Sequence, residues 1–315
     1  MKKIDIVLPV YNEEGGIGIF HRELNKVLKT LGKKYAFKII YVVDKCLDNT
    51  LEVLKKIYDA EKNVSIVSLS RRFGHQISLV AGIDHSSGDA LIMMDSDLEH
   101  PPEIIPKLLE QFENGFDIVN TRREYSGKVS FLKKFTSGLY YKILNYLSSE
   151  PLEENSADFR LISKRVVGVY KKSIREHNQY LRGLFSWIGF SHTTIPYISG
   201  IRVHGRSKYA LKEMLNFAVY GVVSFSKVPL RISITLGFIT TLAGLLYGIF
   251  SVYYYLFINR THIGWTSTIT LIVFFGGIQL TVLGVIGEYI AGIFDEVKNR
   301  PLYLVDKYLT RSRKK

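Results

Sequence analysis

Two long stretches without a charged side chain constrain this chain more than any other feature. The first runs from Ile232 to Ile258 (ISITLGFITTLAGLLYGIFSVYYYLFI) and the second from Ile263 to Gly287 (IGWTSTITLIVFFGGIQLTVLGVIG). Each exceeds the roughly 20 apolar residues needed to cross the hydrocarbon core of a bilayer. Buried helices of soluble proteins are shorter, about 12 residues, and keep a polar face. The expectation is therefore two membrane helices, 232–258 and 263–287. The link between them, Asn259-Arg260-Thr261-His262, is long enough only for a hairpin, so both flanks lie on one side of the bilayer. Lys227 and Arg231 precede the first span, and Lys298, Arg300, Lys307, Arg311, Arg313, Lys314 and Lys315 follow the second. An excess of Lys and Arg marks the cytoplasmic side; only Arg260, beside His262, argues the other way.

A chain of 315 residues can hold one large domain plus something else, because single cores seldom grow past roughly 250–300 residues, and the hairpin is that something else. The net charge of +13 suits a surface held against an anionic leaflet. Nucleic acid is the rival partner for a basic protein, but the cations are spread along the chain with no recognisable binding motif, and no nucleic-acid partner is expected. The single cysteine, Cys46, excludes an internal disulfide and fits a reducing compartment. The opening run IDIVLPV contains Asp5 and is too short for the core of a secretory signal, so it reads as a buried first strand.

Residues 1 to 120 alternate apolar runs with amphipathic stretches, the pattern of a parallel sheet flanked by helices. The expected strands are IDIVLPV, FKIIYVV, VSIVSLS, ALIMMD and FDIVNT. The expected helices are GIGIFHRELNKVLKTL, NTLEVLKKIYDA, GHQISLVAGIDHS and one opening at Pro101-Pro102, where proline suits a first turn. Ligands of such sheets bind beyond the carboxyl ends of the strands. After these strands come YNEE, Asp44 with Asp48, RRFGHQ, DSDLEH and a pair of arginines. One such cluster could be a capped helix start; five on one rim indicate a site. Asp95 and Asp97, separated by one residue at a strand end, can reach the same rim. Hard cations such as Mg2+ or Mn2+ take oxygen ligands of this kind and complete their shell with substrate phosphates.

Several segments then occur in a telling order: PVYNEE (Pro9 to Glu14), VVDKCLDNT (Val42 to Thr50), SRRFGHQ (Ser70 to Gln76), MMDSDLEHPPEIIPKLL, DFRLISKRV (Asp158 to Val166) and RVHGRSKY (Arg202 to Tyr209). As an ordered set spanning nearly the whole chain they resemble the polyprenyl-phosphate glycosyltransferases, which include dolichyl-phosphate mannose synthase and the bacterial undecaprenyl-phosphate glucosyltransferases. The resemblance implies an α/β catalytic domain of the GT-A type, Rossmann-like with a mostly parallel sheet. It also implies a nucleotide-diphosphate sugar as donor, a polyprenyl phosphate as acceptor, and a bacterial inner membrane location with both termini cytoplasmic. Pro9, Tyr11 and Glu13 match positions that line the donor base and ribose, and Val42 with Asp44 match another base-contacting pair. Asp95, Ser96 and Asp97 match the metal and diphosphate segment. Arg122 matches an arginine near the phosphates, Arg202 and Lys208 match two cations that close over the diphosphate, and Asp158 matches the carboxylate assigned as catalytic base.

The chain departs from the family pattern in three places. Val43-Asp44-Lys45-Cys46 stands where DDGS is usual, which bears on the nucleotide base. Glu99 stands where glutamine is common and adds a third anionic candidate ligand for the metal. Lys133 and Ser137 stand where an arginine and a serine meet the lipid phosphate; lysine supplies charge without the two-pronged geometry. The organisation read from all this is a catalytic domain at 1–210, a juxtamembrane amphipathic helix at 211–230, the hairpin at 231–290 and a basic cytoplasmic tail at 291–315.

In a single in-line displacement, charge develops on the leaving diphosphate oxygen and preplaced cations stabilise it. The configuration at the sugar carbon inverts. A phosphate monoester has a second pKa near 6, so the acceptor needs little general-base help, and Asp158 is open to an orienting role through Arg160. His75 and His100 read equally as helix-start hydrogen-bonding residues. UDP-glucose is the leading donor by similarity to the two-helix bacterial members, ahead of UDP-GlcNAc, UDP-galactose and GDP-mannose. Glycines at 237, 244 and 248 have a close-packing spacing that suits a homo-oligomer. Two other readings stay open: a processive polysaccharide synthase, against which two helices and no recognised Q-x-x-R-W motif argue, and a membrane scaffold that kept the donor fold without the activity.

Overall fold

A computed structural model describes residues 1–124, 156–200, 226–258 and 264–311. The chain divides into two compact units. The first comprises Met1–Lys142, Glu150–Leu211 and Arg300–Lys315, and the second comprises Ile143–Ser149 and Lys212–Asn299.

The first unit is built on a mixed sheet. Strands β1 (Lys2–Val10), β2 (Tyr35–Val43), β3 (Val64–Leu69), β4 (Ala90–Met93) and β5 (Ile118–Glu124) fall on the five apolar runs of the sequence. Between them lie α1 (Ile17–Leu31), α2 (Thr50–Ala60), α3 (His75–Asp84) and α4 (Ile105–Glu113), the last entered through a single 3-10 turn at Pro102–Ile104. Helix α1 buries Ile17, Phe20, His21, Leu24 and Leu28, spaced at three and four residues, and so lays one apolar stripe on the sheet. The core contains Ile4, Ile6, Leu8, Ile39, Tyr41, Ile66 and Ile92 from the central strands. These strands are covered on both faces and so read as continuous apolar runs.

The strand order is β7-β5-β6-β4-β1-β2-β3-β8. Strands β1, β2 and β3 progress in one direction, and the chain then returns to set β4 against the other side of β1, parallel to it. That reversal creates a crevice beyond the carboxyl ends of β1 and β4, where open sheets of this type bind ligands. The loops that begin at Tyr11 and at Asp95 flank it.

Three strands were not expected. Strand β6 (Ser156–Ser163) inserts antiparallel between β4 and β5, and β7 (His192–Ile198) runs parallel to β5. Helices α5 (Lys164–Ser173) and α6 (Leu181–Trp187) connect them. The third is β8 (Val305–Leu309), which pairs antiparallel with β3, Ile66 opposite Leu309 and Ser68 opposite Lys307. Part of the stretch expected to be a basic tail is thus an edge strand of the sheet. Tyr303 donates its hydroxyl to Asp84 Oδ2 at 2.9 Å, and Arg175 holds the same carboxylate at 2.8 and 2.9 Å. Its flank is fixed further where Arg311 Nη2 donates to the Asp59 carbonyl at 2.8 Å.

The second unit contains α7 (Val228–Ile258) and α8 (Trp265–Lys298). Within them Val228–Tyr254 and Thr270–Lys298 are long and apolar enough to span a bilayer, so the second helix continues well past the expected end at residue 287. Helix α8 stops at Asn299, whose left-handed φ of 45° ends the helical path just before Arg300-Pro301. Hydroxyls inside the apolar stretches bond back along their own helices: Ser233 to the Pro229 carbonyl, Thr241 to Gly237 and Thr281 to Gly277. That pairing makes them tolerable in hydrocarbon, where no water would satisfy them. Tyr289 donates its hydroxyl to the Ser226 carbonyl at 2.6 Å.

Candidate active site

The rim at the β1 and β4 ends is assembled from four loops. After β1, the backbone turns at Asn12, which has a left-handed φ of 53°. Asn12 N–H donates to Cys46 Sγ at 3.3 Å and its Oδ1 accepts from Leu47 N–H at 2.8 Å, so the loops after β1 and β2 are stitched together. Glu13 N–H donates to Thr50 Oγ1 at 2.8 Å. Pro9 and Val42 are neighbours in the parallel register and both are buried, forming the floor of the crevice. Tyr11 carries the Arg72 guanidinium over its ring at 4.4 Å. Burial pushes the Cys46 thiol up, which fits a packed thiol better than a nucleophile.

Asp44 is buried, and its carboxylate accepts the N–H groups of Phe73 and Gly74, each at 2.8 Å. Gly74 has a φ of +95°, which favours a residue without Cβ. Asp44 therefore fixes the turn that launches α3, and α3 opens with His75 and Gln76 pointing to the next two acids.

Those acids meet through sheet register. Strand β6 runs antiparallel to β4 with Met93 opposite Arg160, so the chain leaving β4, which carries Asp95, passes the start of β6, which carries Asp158. His75 lies between them, with Nε2 at 2.7 Å from Asp95 Oδ1 and Nδ1 at 3.9 Å from Asp158 Oδ2. Burial works to lower the His75 pKa, but Asp95 and Asp158 push it up to about 9, so the ring is cationic at neutral pH. Burial works to raise the Asp95 carboxyl, yet its histidine neighbours hold it well below the usual carboxylate range. His100 flanks Asp95 on its other oxygen, with Nδ1 3.6 Å from Oδ2. Its Nδ1 accepts the Asp95 N–H at 2.9 Å, it stacks on Phe159, and burial lowers its pKa, which leaves the ring neutral. His75 is the charged partner.

Asp158 is a clamped carboxylate. Arg182 grips it with Nε to Oδ1 at 2.9 Å and Nη2 to Oδ2 at 3.0 Å, and Gln76 Nε2 donates to Oδ2 at 3.0 Å. Burial opposes ionisation, but the charge and hydrogen bonds of Arg182, with His75 and Arg160, hold the carboxyl far below its ordinary value. Arg160, the arginine through which an orienting role was open, is the more distant of the two arginines at Asp158. The Arg160 Nη2 is 4.0 Å from Asp158 and donates to the Ala157 carbonyl at 3.1 Å, so Arg182 is the principal partner. Arg182 also bears on the motif expected to be missing. Gln179-Tyr180-Leu181-Arg182-Gly183 carries Q-x-x-R, with glycine in the tryptophan position.

Ser96, Asp97 and Glu99 lie in the loop that follows β4. Ser96 is buried and donates to the Pro9 carbonyl at 3.2 Å, tying the loop after β4 to β1. Asp97 Oδ1 accepts the Glu99 N–H at 3.1 Å. Glu99 is held by Arg123 Nη2 at 2.9 Å, and among the described residues no group of three His, Cys, Asp or Glu side chains has a metal-binding arrangement. Arg122 is exposed and nearest Glu124 at 3.6 Å, whereas Arg123, the other member of the pair, faces the acidic loop. The loop is braced from β7 as well: Ser199 Oγ and Gly200 N–H both donate to the Glu99 carbonyl, at 3.3 and 3.2 Å. A Cβ on Gly200 would come within 2.1 Å of the Leu98 carbonyl, so this approach requires glycine. Lys133, Ser137, Arg202 and Lys208 lie outside the described residues. Sequence reasoning missed Gln76, Arg123 and Arg182; the Q-x-x-R spacing was the one local signal for the last.

Residues 5–170 match the model of glycosyl transferase family 2, and residues 228–293 match the GtrB C-terminal hairpin. The chain is 37% identical over 302 residues to a Bacillus subtilis (strain 168) glycosyltransferase, YkcC, covering 96% of this chain and 93% of that one. It is 36% identical over 305 residues to the SfII prophage-derived bactoprenol glucosyl transferase of Shigella flexneri, covering 97% and 98%. Among solved structures, glucosyl-3-phosphoglycerate synthase from Mycobacterium tuberculosis in complex with Mn2+, UDP and phosphoglyceric acid matches 70% of this chain and 76% of that one. The identity there is 17% and the TM-score 0.45.

Proposed function

This chain is a member of glycosyl transferase family 2, and on that footing we propose that it moves one glucose from UDP-glucose to a polyprenyl phosphate, undecaprenyl phosphate in a bacterial inner membrane. The observation that carries this reading is the similarity to a bactoprenol glucosyl transferase along both units, catalytic sheet and apolar hairpin alike. The crevice supports it independently, since Asp95 and Asp158 are brought together at the β1 and β4 ends where a donor would lie.

In this reading Asp95 and Asp97 hold the divalent cation, Mg2+ or Mn2+. Two carboxylates at a strand end fit a hard ion whose remaining ligands are water and the donor diphosphate. Glu99 is neutralised by Arg123, so we assign it to loop geometry rather than to the ion. The bound ion would supply positive charge against the diphosphate. Tyr11, with Arg72 stacked on it, and the floor formed by Pro9 and Val42 receive the nucleoside. Glu13 and Asp44 fix the loops around it, and Ser96 fixes the acidic loop. Arg202, Lys208, Lys133 and Ser137 are assigned to the donor diphosphate and the acceptor phosphate on the resemblance alone. Transfer is a single displacement: an acceptor phosphate oxygen forms a bond to the anomeric carbon as the carbon–oxygen bond to UDP breaks, and the electron pair leaves with UDP. The configuration inverts. Asp158 takes no proton in this step, because its oxygens are occupied by Arg182 and Gln76 and the acceptor is already largely ionised at neutral pH.

The test is incubation of the purified full chain with radiolabelled UDP-glucose, undecaprenyl phosphate and Mg2+ or Mn2+, with the lipid product resolved by mass. A lipid phosphate carrying one hexose, lost on chelation, is the expected result. A sugar polymer would replace this reading with a processive synthase. Transfer undiminished by a chelator would overturn the metal assignment, and failure to bind or use any nucleotide sugar would overturn the enzyme reading.

A further inference from the structure

Helix α3 meets the acids of the crevice at one end and the segment that follows the apolar hairpin at the other. At its start, His75 and Gln76 reach Asp95 and Asp158. At its end, Asp84 accepts the Tyr303 hydroxyl at 2.9 Å and two Arg175 nitrogens at 2.8 and 2.9 Å. The next residue, His85, caps the helix through Nδ1 to the Ala81 carbonyl at 2.7 Å, and its ring meets Tyr308 edge-on at 4.8 Å between centroids. Between these ends α3 is about 15 Å long, and every residue from Ser78 to Ile83 is buried. A Cβ on Gly82 would fall 2.1 Å from Val7 Cγ1, so the helix lies on β1 without slack. Closely packed elements transmit displacement rather than absorb it, and a shift at Asp84 therefore reaches Gln76. The same segment also supports the other side of the Asp158 clamp. His177, in the loop from α5 to α6, donates Nε2 to the Arg300 carbonyl at 2.7 Å, and that loop leads directly to Arg182. Ser70 N–H, in the loop that launches α3, donates to the Leu304 carbonyl at 2.9 Å. Gln76 and Arg182 then close on Asp158 together, with Gln76 Oε1 also accepting the Leu181 N–H at 3.2 Å.

We propose that Tyr303 is a positioning residue: with the Arg300 carbonyl it braces the far end of α3 and the loop into α6, and so sets how Gln76 and Arg182 hold Asp158. The stretch that leads from the hairpin into β8 is then part of the mounting of the site as well as the start of a sheet edge. Tyr303 acts only through α3. The inference deepens the function proposed above and rests on it. Misplacement by about 1 Å from a distant change can cost roughly 100-fold in rate, so a loosened brace is read in kcat. Donor binding is spared, because Pro9, Tyr11 and Val42 sit on β1, β2 and the loop after β1, away from Tyr303.

Steady-state transfer by the full chain in nanodiscs, at saturating polyprenyl phosphate, tests it. Y303F is expected to lower kcat about fivefold while KM for UDP-glucose stays within about twofold. H177A, which removes the bond to the Arg300 carbonyl, should give the same split. R311Q is the comparison: Arg311 bonds the Asp59 carbonyl and lies over Tyr58, so its loss loosens the same terminal segment away from α3. Its kcat should stay within about twofold of the wild type even where its melting temperature falls as far as that of Y303F. In a Q76A background, Y303F should lower kcat by less than about a further twofold, because the brace acts through that residue. A kcat for Y303F and H177A within about twofold of the wild type overturns the proposal, as does an equal loss in R311Q or an undiminished fivefold loss in the Q76A background. If the wild type transfers no sugar to polyprenyl phosphate, the underlying function fails instead, and amide exchange from Phe73 to Ser78 reads the brace without turnover. Exchange there at least about threefold faster in Y303F than in R311Q supports it, and equal rates overturn it.

Discussion

Asp158 and Arg123 each pose a question about single side chains. Asp158 is ionised in the folded protein at a pH where the same group in an unfolded chain is already taking up protons. Its contribution to stability is therefore complete above about pH 4, and it is lost progressively as pH falls below that value toward the depressed folded pKa. D158N removes the titrating group while keeping the shape. The melting temperature of the wild type should exceed that of D158N by several degrees at pH 6, and the gap should narrow steadily on acidification to pH 3. A gap that stays constant over this range would mean that the Arg182 clamp does not set the acid limb. Arg123 leads to a different prediction. It neutralises Glu99 and lies against Tyr197, so R123Q leaves an acid uncompensated in the loop that carries Asp95 and Asp97. R123Q should lower kcat/KM for the donor about tenfold, and R122Q less than about twofold. Equal losses would return Arg122 to the site. At this scale the sequence displayed the acids but not their partners. Asp95 and Asp97 stand out because two anions end an apolar run, whereas Arg182 reaches Asp158 only through the placement of α6 beside β6, for which the Q-x-x-R spacing was the one local sign.

Among the elements, legibility followed burial, with β6 the exception: seven of its eight residues are buried, yet it was not expected. Strands β1 to β5 and helices α1 to α4 announce themselves by apolar runs and amphipathic spacing, since each packs into the core. The two edge strands do not. Strand β7 reads HTTIPYI, polar for half its length and interrupted by Pro196, and β8 reads VDKYL with two charges. Proline and charge are the features that keep a sheet edge from recruiting other strands, and they also erase the alternation by which a strand is recognised. Strand β8 makes the clearest prediction. It covers the outer edge of β3 and brings Tyr303 to Asp84, so truncation at residue 299 exposes a row of backbone groups and leaves Asp84 with Arg175 alone. The truncated chain should melt several degrees lower and show faster amide exchange along Val64–Leu69, while Y303F, which removes one hydrogen bond, should cost about 1 kcal/mol. Unchanged exchange in β3 after truncation would mean that β8 contributes no protection.

At the level of the whole molecule, the charge-free runs, the basic flanks and the catalytic sheet all bear on sidedness. Only the six residues 259–264 separate α7 from α8, and in the proposed hairpin the residues before Val228 and those after Lys298 share one face of the bilayer. The cations at Lys227 and Arg231 and from Lys298 onward, set against Arg260 in the link, support the proposal that this face is the cytoplasmic one. Consistency with the proposed chemistry is strong, because UDP-sugars are cytoplasmic metabolites and a donor crevice on the opposite side would meet none. Cysteine labelling distinguishes the two arrangements. In a C46A background, T261C should react with a membrane-impermeant maleimide in intact spheroplasts, while S312C should react only after permeabilisation. The reverse pattern would invert the hairpin and place the catalytic sheet away from its donor. Labelling of both positions in intact cells would show that the two apolar helices do not form a transmembrane hairpin, which would remove the physical basis for a membrane-borne acceptor.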